Sequence, residues 1–144
     1  MIWQATEKEL PALTALALQL WPGHRAEELQ KELAACLADP EALLLLAGDG
    51  DRPVGFAQCQ LRHDYVEGAH SRPVGYLEGV YVEAGYRGQG LAAALLARCQ
   101  DWAREQGCQE FASDCALDNL ASRRFHERAG FAEAGQLVHY IRAL

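Results

Sequence analysis

Residues whose types and spacing could do chemistry gather in the second half of the chain. Glu78 falls within the otherwise apolar stretch Tyr76–Val82, and directly downstream the chain reads Tyr81-Val82-Glu83-Ala84-Gly85-Tyr86-Arg87-Gly88-Gln89-Gly90-Leu91-Ala92. The glycines sit where a strand gives way to a helical pattern. A helix start offers unpaired backbone N–H groups and the positive end of the macrodipole, and the missing side chains of Gly88 and Gly90 let an anion approach them. That chemistry is a pyrophosphate cradle. The spacing is not GxGxxG, and the Gly-Lys-Ser/Thr ending of a nucleotide P-loop is missing. Without a ligand the same residues make a plain strand-to-helix turn. Asp114 ends the next expected strand, on the side where a crossover sheet presents its ligand sites; the alternative is an N-cap for the helix near Asn119.

The chain of 144 residues suits a single domain spanning 1–144. Asp and Glu outnumber Lys and Arg by 20 to 13, a formal charge of -7. That sign disfavours nucleic acid and suits a cationic small-molecule partner. The longest apolar run, Ala42–Ala47, is far short of the roughly 20 residues that cross a bilayer and suits a buried strand. No membrane span is expected. The opening MIWQATEKEL has no basic region followed by an apolar stretch, so a cytoplasmic location is the expectation. Cys36, Cys59, Cys99, Cys108 and Cys115 are widely spaced with no CxxC pair, which predicts scattered core thiols and no metal.

These residues need elements to position them. A strand is expected at 1–4, and Thr6 is an N-cap for a helix with Leu10, Leu13, Ala17 and Leu20 on one face, ended by Trp21-Pro22-Gly23. A second helix spans about 26–38, with Leu29, Leu33 and Cys36 inward. Strands at 43–47 and 54–61 flank the polar Gly48–Arg52 as a hairpin. Residues 62–73 read as an irregular, functional loop. A strand at 74–82, a long helix at 88–106 lined by Leu91, Leu95, Cys99 and Trp102, and a strand at 108–114 follow. A helix at 119–129 with Ala121 and Phe125 inward and a last strand within 132–142 complete the chain. The fold class is α/β, a mixed, mostly antiparallel sheet in the order β-α-α-β-β-β-α-β-α-β with a parallel crossover in its second half.

Arg87, Gly90 and Ala92 fit the acetyl-CoA loop of the Gcn5-related N-acetyltransferase superfamily, and the chain resembles that family again in Asn119, the following helix and Gly130-Phe131. Four further segments, Leu20–His24, Arg62–Gly68, Leu77–Val82 and Ala112–Asp114, resemble the branch of aminoglycoside 6′-N-acetyltransferases. The resemblance implies acetyl-CoA as co-substrate, helices on both faces of the sheet and a homodimer. It places the coenzyme against Val80, Tyr81 and Val82, with the Val80 and Val82 backbone donors on the pantetheine arm. Arg87, Gly88, Gln89, Gly90, Leu91, Ala92 and Ala93 would hold the pyrophosphate, Asn119 would contact the coenzyme, and the Val82 N–H would stabilise the thioester oxygen as it turns anionic.

Transfer to an amine needs an unprotonated nitrogen, whereas an aliphatic ammonium keeps its proton near neutral pH. In the resembled branch the glutamate matching Glu78 is the proposed base, acting directly or through water; the alternative is a strand-edge carboxylate paired with an arginine. Asp114 resembles the second substrate carboxylate, and two carboxylates facing one pocket would hold a polycationic aminosugar. Trp21, His24 and Tyr65 match positions lining the acceptor cleft, with core packing as the rival role. Glu133 reads as a solvated strand end. Many members carry a tyrosine, four residues before the glycine of Gly-Phe, that protonates the leaving thiolate; here His126 stands there, as proton donor or as packing. No cysteine motif supports a covalent acetyl-enzyme, which favours direct attack in a ternary complex. The rivals are acetyl transfer to another small amine, a polyamine or a peptide, a non-catalytic acyl-CoA-binding module, and a plain α/β interaction domain.

Overall fold

The computed structural model describes residues 1–49 and 52–144. Five strands lie side by side in chain order, β1 (Ile2–Gln4), β2 (Ala42–Asp49), β3 (Arg52–Arg62), β4 (Val74–Val82) and β5 (Phe111–Ser113). The first four are mutually antiparallel, and β5 runs parallel to β4. Of the four helices, α1 (Leu10–Leu20) and α2 (Ala26–Ala38) lie between β1 and β2, α3 (Leu91–Glu105) makes the parallel crossover from β4 to β5, and α4 (Leu120–Arg128) follows β5. The class and the order agree with expectation through α4. Gly50 and Asp51, at the middle of the expected hairpin turn, lie outside the described residues.

Both faces of the sheet are covered. Leu44, Leu46 and Phe56 pack under α1 and α2, against Leu13, Leu16, Leu29 and Leu33. Leu43, Leu45, Ala57, Cys59 and Leu77 pack under α3, against Leu95, Leu96 and Cys99. A strand buried on both faces needs no polar alternation, which is why Ala42–Ala47 is one apolar run. Thr6 begins a short 3-10 turn, Glu7–Glu9, rather than α1 itself; its N–H and hydroxyl both donate to the Glu9 carboxylate, at 3.3 and 2.7 Å. No helix among the described residues is long and apolar enough to cross a membrane.

Three expectations fail. Residues 131–144 form neither helix nor strand where a last strand was expected within 132–142, and Leu137, Val138, Tyr140, Ile141 and Leu144 stand exposed. A strand is made by a partner's hydrogen bonds, and none of the described strands pairs this segment. Glu133 therefore marks no strand end; its carboxylate lies 3.6 Å from Arg123. Ala121 is exposed, and Ser122, Phe125 and His126 instead form the partly buried side of α4. Cys115 is exposed, so the thiols are not all in the core, whereas Cys59, Cys99 and Cys108 are buried.

Candidate active site

The coenzyme side is built from the end of β4, a turn and the start of α3. Gly88 and Gly90 both have φ of +80°, the left-handed region that favours glycine, and a Cβ on either would meet nothing within 4 Å. Backbone conformation rather than crowding thus calls for these glycines. Arg87, Gly88, Gln89 and Gly90 are exposed at the head of α3, with Leu91 and Ala92 half-buried and Ala93 exposed, so the helix start opens outward.

β4 outruns its neighbour on one side. The β4–β5 pairing ends at Leu77 and Ser113, whereas β4 continues to Val82 paired with β3 alone. The N–H of Glu83 donates to the Val54 carbonyl at 2.8 Å, towards β3. By strand alternation the N–H groups of Val80 and Val82 turn the other way, into the space β5 vacates. The Val82 carbonyl confirms that direction by accepting from Arg87 Nε at 2.7 Å, with the Arg87 guanidinium 5.4 Å from the Tyr81 ring. Asn119 caps α4 by accepting from the Ser122 N–H at 3.1 Å through its side-chain oxygen, so contact with a coenzyme falls to its amide nitrogen.

The other half of the site turns on an irregularity in β4. Cys59 pairs with Leu77 and Gln58 with Gly79, so Glu78 is the extra residue of a β-bulge and has no ladder partner on β3. Phe56, Gln58, Gln60 and Arg62 share the face under α1 and α2, together with their partners Tyr81, Gly79, Tyr76 and Val74. The bulge puts Glu78 on that face beside Gly79 while Leu77, Val80 and Val82 keep to the α3 face. A Cβ at Gly79 would lie 2.6 Å from Trp21 Cζ2; glycine lets the Trp21 ring settle on the backbone next to Glu78. Trp21 also packs edge-on against Phe56 at 5.9 Å, and exposed His24 lies 6.2 Å from it. Core packing and cleft lining are therefore both properties of Trp21. Tyr65 is 73% exposed and donates its hydroxyl to Glu67.

Glu78 and Asp114 are joined through two residues for which no role was expected. Arg62 grips Glu78 with its fork, Nη2 at 2.9 and 3.1 Å and Nε at 3.2 Å. Its guanidinium stacks 3.4 Å from the centre of the Tyr76 ring, and the Tyr76 hydroxyl donates to Asp114. Burial first, and then the bond to Asp114, push the Tyr76 hydroxyl above its ordinary range, so it stays a donor. Burial works to lower the Arg62 pKa, but the bond to Glu78 and the surrounding negative charge outweigh it. Asp114 does not cap α4; that role belongs to Asn119.

His126 has both ring nitrogens engaged inside the protein. Nδ1 is 2.7 Å from the Ser122 carbonyl, which fixes it as a donor, and Nε2 is 2.8 Å from Ser113 Oγ. Ser113 also lies 3.2 Å from the Leu77 carbonyl, at the point where β4 and β5 part. Phe125 and Phe131 flank the ring at 5.7 and 5.2 Å. Sequence alone offers no sign of Ser113, because only the parallel register brings it beside Leu77.

A sheet that parts at one edge beside a glycine-rich helix start, with a carboxylate on the bulge between them, is an acyl-transfer architecture. The chain belongs to the Acetyltransferase (GNAT) family, whose model matches residues 10–131. It is 43% identical over 141 residues to an aminoglycoside N(6′)-acetyltransferase type 1 of Stenotrophomonas maltophilia, covering 96% of this chain and 90% of that protein. The corresponding enzyme of Serratia marcescens is 42% identical over 145 residues, covering 100% and 99%. Among solved structures, the aminoglycoside 6′-N-acetyltransferase AAC(6′)-Ig of Acinetobacter haemolyticus superposes with a TM-score of 0.94 at 34% identity, covering 100% of this chain and 99% of that one. AAC(6′)-Iy, in complex with a bisubstrate analogue joining CoA to an acetylneamine, superposes with a TM-score of 0.94 at 33% identity, covering 100% and 98%.

Proposed function

We propose that this protein acetylates the 6′-amine of aminoglycosides from acetyl-CoA by direct transfer in a ternary complex. The observation that carries this is Glu78, lifted out of the β4–β3 ladder by the bulge and linked through Arg62 and Tyr76 to Asp114. The relatives' aminoglycoside activity and the bisubstrate analogue bound by AAC(6′)-Iy support it. Acetyl-CoA fits the chain's own donors: the open start of α3 for the diphosphate and the unpaired side of β4 for the pantetheine arm. When bound it supplies an activated acetyl group.

Glu78 takes the proton that the acceptor nitrogen loses as that nitrogen bonds to the acetyl carbon and the carbon–sulfur bond breaks. The Val82 N–H faces the developing oxyanion. Asp114 holds a second ammonium of the acceptor, and Trp21, His24 and Tyr65 line its approach. Incubation with acetyl-CoA and kanamycin, tobramycin, spermidine or a lysine peptide, followed by free-thiol release, tests the assignment. Turnover with the two aminoglycosides is expected; turnover confined to spermidine or the peptide replaces the acceptor, and coenzyme binding without turnover makes the chain a binding module.

His126 completes the proton traffic in its doubly protonated form: Nε2 gives its proton to Ser113 Oγ as the Ser113 hydroxyl gives its own to the leaving sulfur, and the ring is left neutral with its Nδ1–H on the Ser122 carbonyl. His126→Gln is expected to lower kcat about tenfold and to alter its pH dependence. An unchanged rate and pH profile would make the ring a packing residue between Phe125 and Phe131.

The protein acts as a homodimer in this proposal. The exposed apolar residues of the tail and the β5 edge away from β4, which no described strand pairs, give a second copy a backbone edge and an apolar strip to cover. Sedimentation of the intact chain is expected to give a dimer and removal of residues 135–144 a monomer; a monomeric intact chain would sink the assignment.

A further inference from the structure

Arg62 sits among the carboxylates that an acceptor cation would seek. Among the described residues it is the one cation within ion-pair distance of Glu78, and the two side chains are only 34% and 21% exposed, so water does not screen the pair away. The groups that border the pair are neutral or acidic. Tyr76 is held as a neutral donor, burial keeps the Cys36 thiol on α2 protonated, and Asp114 has only the Tyr76 hydroxyl as a side-chain partner. Glu78 is thus in direct contact with a guanidinium, whereas Asp114 feels the same charge only from across the Tyr76 ring.

This asymmetry matters for the chemistry. An unopposed carboxylate next to an amine favours the ammonium form, which has no lone pair to attack a thioester. Resting on the acetyl-transfer assignment above, we propose that Arg62 is a positioning residue that takes the place of the acceptor cation beside Glu78. It cancels that charge and keeps Glu78 from trapping the incoming nitrogen as an ammonium ion. Ground-state attraction of the polycation then falls to Asp114, on the far side of the Tyr76 ring. The bidentate grip also fixes both carboxylate oxygens, so Glu78 meets the nitrogen in one orientation. Lysine can supply the charge without the fork.

The test separates affinity from turnover. With CoA-loaded protein and kanamycin as probe, calorimetry on Arg62→Gln is expected to show a Kd about tenfold tighter, while kcat with acetyl-CoA falls at least about tenfold. Arg62→Lys, which keeps the charge and loses the fork, is expected to return Kd to within about fivefold of the parent and kcat only in part. A merely structural arginine would weaken binding and turnover together, and that result, or no change in Kd, overturns the proposal. Should Arg62→Gln not fold, the parent protein decides: a kanamycin analogue with a hydroxyl in place of the 6′-amine is expected to bind within about threefold of kanamycin, because the cancelled Glu78 adds no attraction for that nitrogen. A loss of about tenfold or more overturns the proposal. A parent protein that acetylates kanamycin keeps the acetyl-transfer assignment whatever these variants show; a parent that does not bind kanamycin defeats both.

Discussion

Glu78→Ala is expected to lower kcat with an aminoglycoside about 10²- to 10⁴-fold while the calorimetric Kd for acetyl-CoA stays within about threefold of the parent. The size follows from the role proposed for it: an acceptor nitrogen must shed a proton as it bonds to the acetyl carbon, and Glu78 is the carboxylate that the bulge frees from the β3 ladder. The selectivity follows from where it stands. In the proposed complex the start of α3 and the unpaired side of β4 hold the coenzyme through backbone groups that the side chain at 78 does not supply. Loss of coenzyme affinity along with turnover would show that the substitution had collapsed β4 rather than removed a base, and an unchanged rate would move that role to another group.

Gly90→Val acts on the opposite half. Its φ of +80° is at the N-cap of α3, where the Gly90 carbonyl accepts the first helical bond from the Ala94 N–H at 3.0 Å. A left-handed backbone costs an ordinary residue about 1–2 kcal/mol, and a β-branched one more. The strained loop relaxes by turning its amides away from the coenzyme diphosphate. The expected result is a Kd for acetyl-CoA weakened about 10- to 100-fold, with kcat at saturating coenzyme far less affected. Gly85→Val is the control. Gly85 has no positive φ and no neighbour within 4 Å of a Cβ, so coenzyme binding should survive there. Equal tolerance at Gly90 would place the diphosphate elsewhere.

Much of this was legible in the residues because local chemistry settles it. α2 and β4 fall where periodicity and Asp39-Pro40 place them, and the glycine run marks the head of α3 because its backbone geometry favours glycine. Glu78 stands out as a charge in an apolar strand, and the arginine pairing weighed as its alternative is present, on a residue that the bulge turns to the face under α1 and α2. What stayed hidden depends on register. Neither the bulge at Glu78 nor the meeting of Arg62 with Tyr76 can be read before β3 and β4 are aligned, since the residues involved are 14 and 16 positions apart in the chain. The same holds for Ser113 beside Leu77 across a parallel crossover. The last expected strand failed for a different reason: its apolar residues are present, but its hydrogen-bonding partner is not among the described strands.

Because the ladder passes from Leu77 to Gly79 as if Glu78 were not there, the proposed base is an insertion into an otherwise regular pairing of β3 with β4. Excising that one residue would leave every remaining side chain of β4 on the face it has now, Val80 and Val82 under α3 and Tyr81 under α1 and α2. Chemistry and scaffold are separable at a single codon: a chain one residue shorter would still present its amides to a thioester, as a receptor without a reaction.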